Sequence, residues 1–159
     1  MSGPYGHLHD VLSRAMQDST VGPGRRIQRS EGEMPRVLVV DDDAAVRSAV
    51  ARGLAAHGYE VVEAPDGRVG LRLFRERPAD VVLTDLYMPD VDGIEFTRQL
   101  SREFAGARII AMSGGVLQSS GEALEIATHL GAVATLPKPF SLPELVEVVA
   151  RVLADPGTA

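Results

Sequence analysis

From Met34 onward, short apolar runs alternate with longer stretches in which apolar residues return every three to four positions. Val37–Val40 is a continuous apolar run followed at once by Asp41, Asp42 and Asp43. A run that short, bounded by polar residues, predicts a buried strand. Asp43 can cap a helix that continues to about Ala56, with Val46, Val50 and Leu54 on its apolar stripe and Gly58 suited to the position just beyond its end. Tyr59–Glu63 is a second strand. Asp66 opens a second helix, carrying Val69, Leu71, Leu73 and Phe74, which must stop ahead of Pro78. Val81–Thr84 is a third strand, and Asp92 with Glu95 has capping-box spacing for a helix to about Arg102. Arg108–Met112 is a fourth strand. Ser119 and Glu122 repeat the capping spacing for a helix that ends near Gly131. Val133–Leu136 is the fifth strand. Ser141-Leu142-Pro143-Glu144 opens the last helix, whose inner side carries Leu145, Val148, Val149 and Val152.

Five repeats of strand then helix predict a parallel sheet with helices on both faces, a three-layer α/β fold. Right-handed crossovers restrict such a (βα)5 chain to doubly wound topologies. The first 33 residues break the pattern. They hold Gly3, Pro4, Gly6, Gly22, Pro23, Gly24 and Gly32, and their acidic and basic residues balance. The one helix-like stretch, about His9 to Met16, is too short to be stable alone, and Ser19–Glu33 has the composition of a linker. The expected organisation is a flexible extension over 1–33, one domain over 34–154 and a short tail over 155–159. Initiation at Met34 would account for the same contrast.

Composition narrows the function. The chain has 159 residues, room for one ordinary domain. Its formal net charge of −6, with all of the excess in 34–159, argues against binding nucleic acid by neutralising phosphates. It has no cysteine, which excludes disulfides, thiolate metal sites and cysteine nucleophiles. No apolar run approaches the length of a membrane span, and the N-terminus lacks the features of a signal peptide, so a cytoplasmic protein is expected. Of the 16 basic residues other than histidine, only Lys138 is a lysine. A lone lysine among arginines is a candidate for work that needs a compact ammonium.

In an open α/β sheet, ligands bind at the carboxyl ends of the strands, where the strand order reverses. The predicted strands end in Asp41-Asp42-Asp43, Asp85, Ser113 and Lys138-Pro139. Clustered carboxylates need a cation, and an all-oxygen set suits Mg²⁺. A carboxylate can also accept a phosphoryl group, while a lysine and a hydroxyl stabilise its oxygens. Asp43 is the residue of this group best explained as a helix cap, and Asp90 and Asp92 fit turn and cap chemistry. His57 and His129 fall near helix C-termini, which favour imidazole, and His7-x-His9 is a weak metal pattern.

These residues, in this order, resemble the bacterial response-regulator receiver family. The resemblance is carried by Val37–Val40 with Asp41-Asp42-Asp43, by Asp85-Leu86-Tyr87-Met88-Pro89 with Asp92-Gly93, by Ser113, and by Lys138-Pro139-Phe140, and it covers about residues 35–154. It implies a flavodoxin-like sheet of order 2-1-3-4-5. It implies that Asp85 is the phosphorylated aspartate, that Asp41 and Asp42 bind Mg²⁺ with Asp42 the favoured direct ligand, and that Tyr87 lends the metal its backbone carbonyl. By the same resemblance Ser113 is the switch hydroxyl, and Lys138 contacts the phosphoryl group with its bond to Pro139 cis. The implied partners are a histidine kinase or histidine phosphotransfer protein and an output protein, with no nucleic acid or membrane, the chain being a monomer or weak homodimer.

The chain departs from the family pattern at Thr135, where many members carry an aromatic ring, and at Pro137, which costs the fifth strand a donor and suits an edge strand. Ser113 and Lys138 also stand further apart than is common, and the extra length is assigned to 114–120. With few residues after Ala154, output by protein contact is expected. The competing reading is a Mg²⁺-dependent phosphatase with an aspartyl nucleophile, suggested by Asp41-x-Asp43. Ala44-Ala45-Val46 does not continue that motif, and no cap domain fits the length. A nucleotide-binding flavodoxin-like protein would need a glycine-rich loop after the first strand, which the sequence lacks.

Overall fold

A computed structural model describes residues 30–86, 88, 93–114 and 122–155, without side chains at 122–124. The expected helix over 9–16, Tyr87, Asp90, Asp92 and Ser119 lie outside the described residues. Among the described residues, five strands alternate with five helices: β1 Arg36–Val40, α1 Ala44–Ala56, β2 Glu60–Ala64, α2 Gly67–Glu76, β3 Val81–Asp85, α3 Gly93–Glu103, β4 Ile109–Ser113, α4 Glu122–His129, β5 Ala134–Pro137 and α5 Leu142–Ala154. The strands form one sheet of order β2-β1-β3-β4-β5, and every neighbouring pair is parallel. This is the expected doubly wound fold.

The continuous apolar runs work because the sheet is covered on both sides. Successive side chains point to opposite faces. Val37 and Val39 of β1, Val81 and Leu83 of β3, and Ile110 and Met112 of β4 join α1 and α5 through Val50, Leu54, Leu145, Val148, Val149 and Val152. Leu38, Val40, Val82 and Ile109 turn the other way, onto Leu71 and Phe74 of α2 and Phe96 and Leu100 of α3. Each fully buried side chain of this size contributes about 1.5–3 kcal/mol. The third cluster is smaller, built from Leu86, Ala111, Ala127 and Ala132 with Ile94 packed on it. It seats α4 on small side chains.

The caps of α1, α2 and α5 are those the sequence predicts. Asp43 Oδ1 accepts the amides of Ala45 and Val46 at 2.9 and 3.2 Å. Asp66 Oδ1 accepts that of Val69 at 2.9 Å. Ser141 and Glu144 form a complete capping box on α5. Gly58 takes φ +86° after α1, a conformation that favours glycine. Glu95 pairs with Arg98 at 2.6 Å, and its expected capping partner Asp92 lies outside the described residues. Pro137 is tolerated because β5 is the sheet edge.

Candidate functional site

The strand order reverses between β2 and β3 on either side of β1, so Asp41 just past β1 and Asp85 at the end of β3 lie side by side. One oxygen each of Asp41, Asp42 and Asp85 come within 4.8 Å of one another. Asp41 is fully buried, Asp85 is nearly so, and Asp42 is exposed. Hard carboxylate oxygens at this spacing, one facing solvent, fit an octahedral cation that keeps part of its water shell. Tyr87, the expected carbonyl donor, is outside the described residues.

Lys138 enters from β5, two strands away from Asp85's. Its Nζ donates to Asp41 Oδ2 at 2.8 Å and to Asp85 Oδ2 at 3.1 Å. Burial pulls its pKa down, but the hydrogen bond to Asp41 and the charges of Asp85 and Asp41 outweigh that, and the net shift is upward from 10.5. Lys138 is therefore an ammonium at neutral pH and offsets the acidic cluster. Its backbone is held too: the amide donates to the Ser113 carbonyl at 2.7 Å, and the Lys138–Pro139 bond is cis. Gly114 lets the stem pass, since an added Cβ there would lie 3.1 Å from Lys138 Cβ and 3.3 Å from its Cδ.

Asp41 is a hub. Its Oδ1 accepts the Asp43 amide at 3.0 Å and its backbone carbonyl accepts Arg47 at 2.7 Å. Its own amide donates to the Ala64 carbonyl at 3.2 Å. Gly93, at the start of α3, lies so close under Asp85 that a Cβ would overlap the Asp85 carbonyl oxygen. The buried Thr84 hydroxyl donates to that same carbonyl at 3.0 Å. Ser113, half-buried, closes β4, where it pairs with Pro137. Asp43, by contrast, is occupied in capping α1.

The structure thus brings together Asp41, Asp42, Asp85 and Lys138 and sets Ser113 beside Lys138 along the rim. Sequence reasoning missed Arg47, and it quoted Gly93 within a motif without giving it a role. Arg47 stands four residues after Asp43, a spacing that reads as an ordinary helical ion pair, and nothing in the sequence signals its reach back to Asp41. His57 and His129 each place Nδ1 against a carbonyl four residues back, at 2.9 and 2.8 Å, as their helix-end positions suggest.

A doubly wound sheet with three clustered aspartates and a lysine at its switch point is the architecture of a signalling receiver. Residues 37–150 match the family model for the response regulator receiver domain, and the chain belongs to that family. It is the receiver domain of a two-component response regulator, a signalling module whose family partners are histidine kinases. The response regulator MprA of Mycolicibacterium vanbaalenii is 40% identical over 110 residues, 69% of this chain and 46% of that protein. The DNA-binding transcriptional regulator NtrC of Azospirillum brasilense is 36% identical over 117 residues, 74% of this chain and 24% of that protein. The chain therefore spans less than half the length of these relatives. Among solved structures, the chemotaxis response regulator CheY4 of Vibrio cholerae is 31% identical and aligns with a TM-score of 0.69, covering 76% of this chain and 99% of that one. Among the described residues no helix is long and apolar enough to cross a membrane.

Proposed function

We propose that Asp85 accepts a phosphoryl group from a phosphohistidine of a histidine kinase or histidine phosphotransfer protein, in a reaction that requires Mg²⁺. A carboxylate oxygen of Asp85 forms the new bond to phosphorus as the phosphorus–nitrogen bond of the donor breaks. The imidazole leaves and takes a proton from solvent. Asp41, Asp42 and Asp85, with the Tyr87 carbonyl, are the ligands for Mg²⁺, which when bound offsets charge on the transferring group. Lys138 holds Asp85 in place and can turn its ammonium to a phosphoryl oxygen. The Ser113 hydroxyl donates to the same group and converts its arrival into a movement of β4. Output goes through protein contact, and residues 34–154 form the receiver unit, with 1–33 an extension and 155–159 a tail.

The observation that carries this reading is the Lys138 ammonium bonded at once to Asp41 and Asp85. It supports the reading because an ammonium beside Asp85 can offset the charge that a phosphoryl group would bring. The test is transfer from a radiolabelled phosphotransfer protein in the presence of Mg²⁺. The wild-type chain acquires label and Asp85→Asn does not; equal labelling of both would refute the assignment of Asp85.

A further inference from the structure

Asp42 is the exposed member of the acidic trio, and among the described residues its carboxylate takes no hydrogen bond. Its position depends on its two neighbours. Both are tied to one residue. The Arg47 amide donates to the Asp43 carbonyl at 2.9 Å, as the first turn of α1 requires. The Arg47 guanidinium then reaches back and donates to the Asp41 carbonyl at 2.7 Å. Nε of the same guanidinium lies 3.4 Å from Glu63 Oε1 on β2, and the side chain is only 18% exposed.

Asp41 lies one residue past β1, where the ladder ends at Val40. Its carbonyl therefore needs a partner from outside the sheet, and Arg47 supplies it. The fork geometry of arginine matters, because two nitrogens on one rigid plane serve a carbonyl and a carboxylate together. We propose that Arg47 is a positioning residue that clamps the turn Asp41-Asp42-Asp43 between α1 and β2 and so preorganises Asp42 to bind Mg²⁺. The proposal rests on the metal assignment made above and adds a role for a residue that touches neither metal nor phosphoryl group.

The sign of the effect separates this role from a purely electrostatic one. A fixed positive charge beside the site opposes Mg²⁺, so removing that charge alone would tighten binding. Loss of the clamp frees the turn, and ordering it again on binding weakens affinity. Mg²⁺ is titrated into the full chain by calorimetry for wild type, Arg47→Met, Arg47→Lys and Asp42→Ala. The expected result is binding by wild type, a roughly tenfold weaker Kd in Arg47→Met, and faster amide exchange at residues 41–43 in that variant. Arg47→Lys keeps the charge but has a single nitrogen, and its Kd is expected between the two. Wild-type or tighter affinity in a folded Arg47→Met, or wild-type affinity in Arg47→Lys, would overturn the clamp while leaving the metal site standing. Should Arg47→Met not fold, Arg47→Lys decides alone. Wild-type affinity in Asp42→Ala, or no binding by wild type, would instead remove the metal assignment and the clamp with it.

Discussion

Three carboxylates gathered at one rim repel one another, and the residues that make this tolerable are Lys138, bonded to two of them, and Arg47, bonded to the backbone between them. Asp42 contributes charge without a compensating bond among the described residues. Asp42→Ala is therefore expected to melt at or above the wild-type temperature when Mg²⁺ is absent, because one source of repulsion is gone. A clear fall measured by circular dichroism would mean Asp42 is structurally engaged. Gly93 gives the opposite expectation. A Cβ at this position overlaps the Asp85 carbonyl oxygen and presses on Leu86. Gly93→Ala should cost about 1–3 kcal/mol, as overpacking does, read as a lower urea midpoint, and should slow phosphorylation by displacing Asp85. Asp41, Asp85 and Lys138 were legible in the sequence because strand ends converge in this fold. Arg47 and Gly93 were not, because their roles depend on side-chain reach and backbone approach that no spacing encodes.

At the scale of elements, all five strand–helix repeats were legible, since each apolar run is short and α1, α2 and α5 open on the caps Asp43, Asp66 and Ser141. Boundaries slipped by about one residue. Tyr59 was expected in β2, but its amide bonds back to Leu54 at the end of α1, so the strand starts at Glu60. Pro137 extends β5 beyond Leu136 because it pairs with Ser113 at an edge that asks for no donor. The α5 capping box supplies two predictions. Ser141→Ala should lower stability by about 1 kcal/mol, as loss of a serine cap does, measurable by urea unfolding. The amide and hydroxyl of Ser141 hold the Glu144 pKa below its usual 4.5. A carboxylate depressed on folding stabilises above its unfolded pKa, and the contribution fades as pH falls through the folded value. The stability gap between wild type and Glu144→Gln should thus be full at neutral pH and shrink below pH 4.5. A gap independent of pH would contradict the ionised cap.

For the whole molecule, the three core clusters found among the described residues draw on the chain between Val37 and Leu153. A chain beginning at Met34 is accordingly expected to melt with the full chain, and a marked fall in its melting temperature would show that residues 1–33 contribute to the fold. Strand order places Asp41 beside Asp85, and Lys138 spans from the sheet edge to join them, so the chemistry belongs to the assembled sheet and to no single segment. On the function proposed above, this assembly makes Asp85 a Mg²⁺-dependent phosphoryl acceptor. Intact-mass spectrometry after incubation with acetyl phosphate tests it most directly. The expected result is a mass gain of one phosphoryl group with Mg²⁺, its loss when the metal is chelated, and none in Asp85→Asn. An equal gain in Asp85→Asn, or a gain unaffected by chelation, would contradict it.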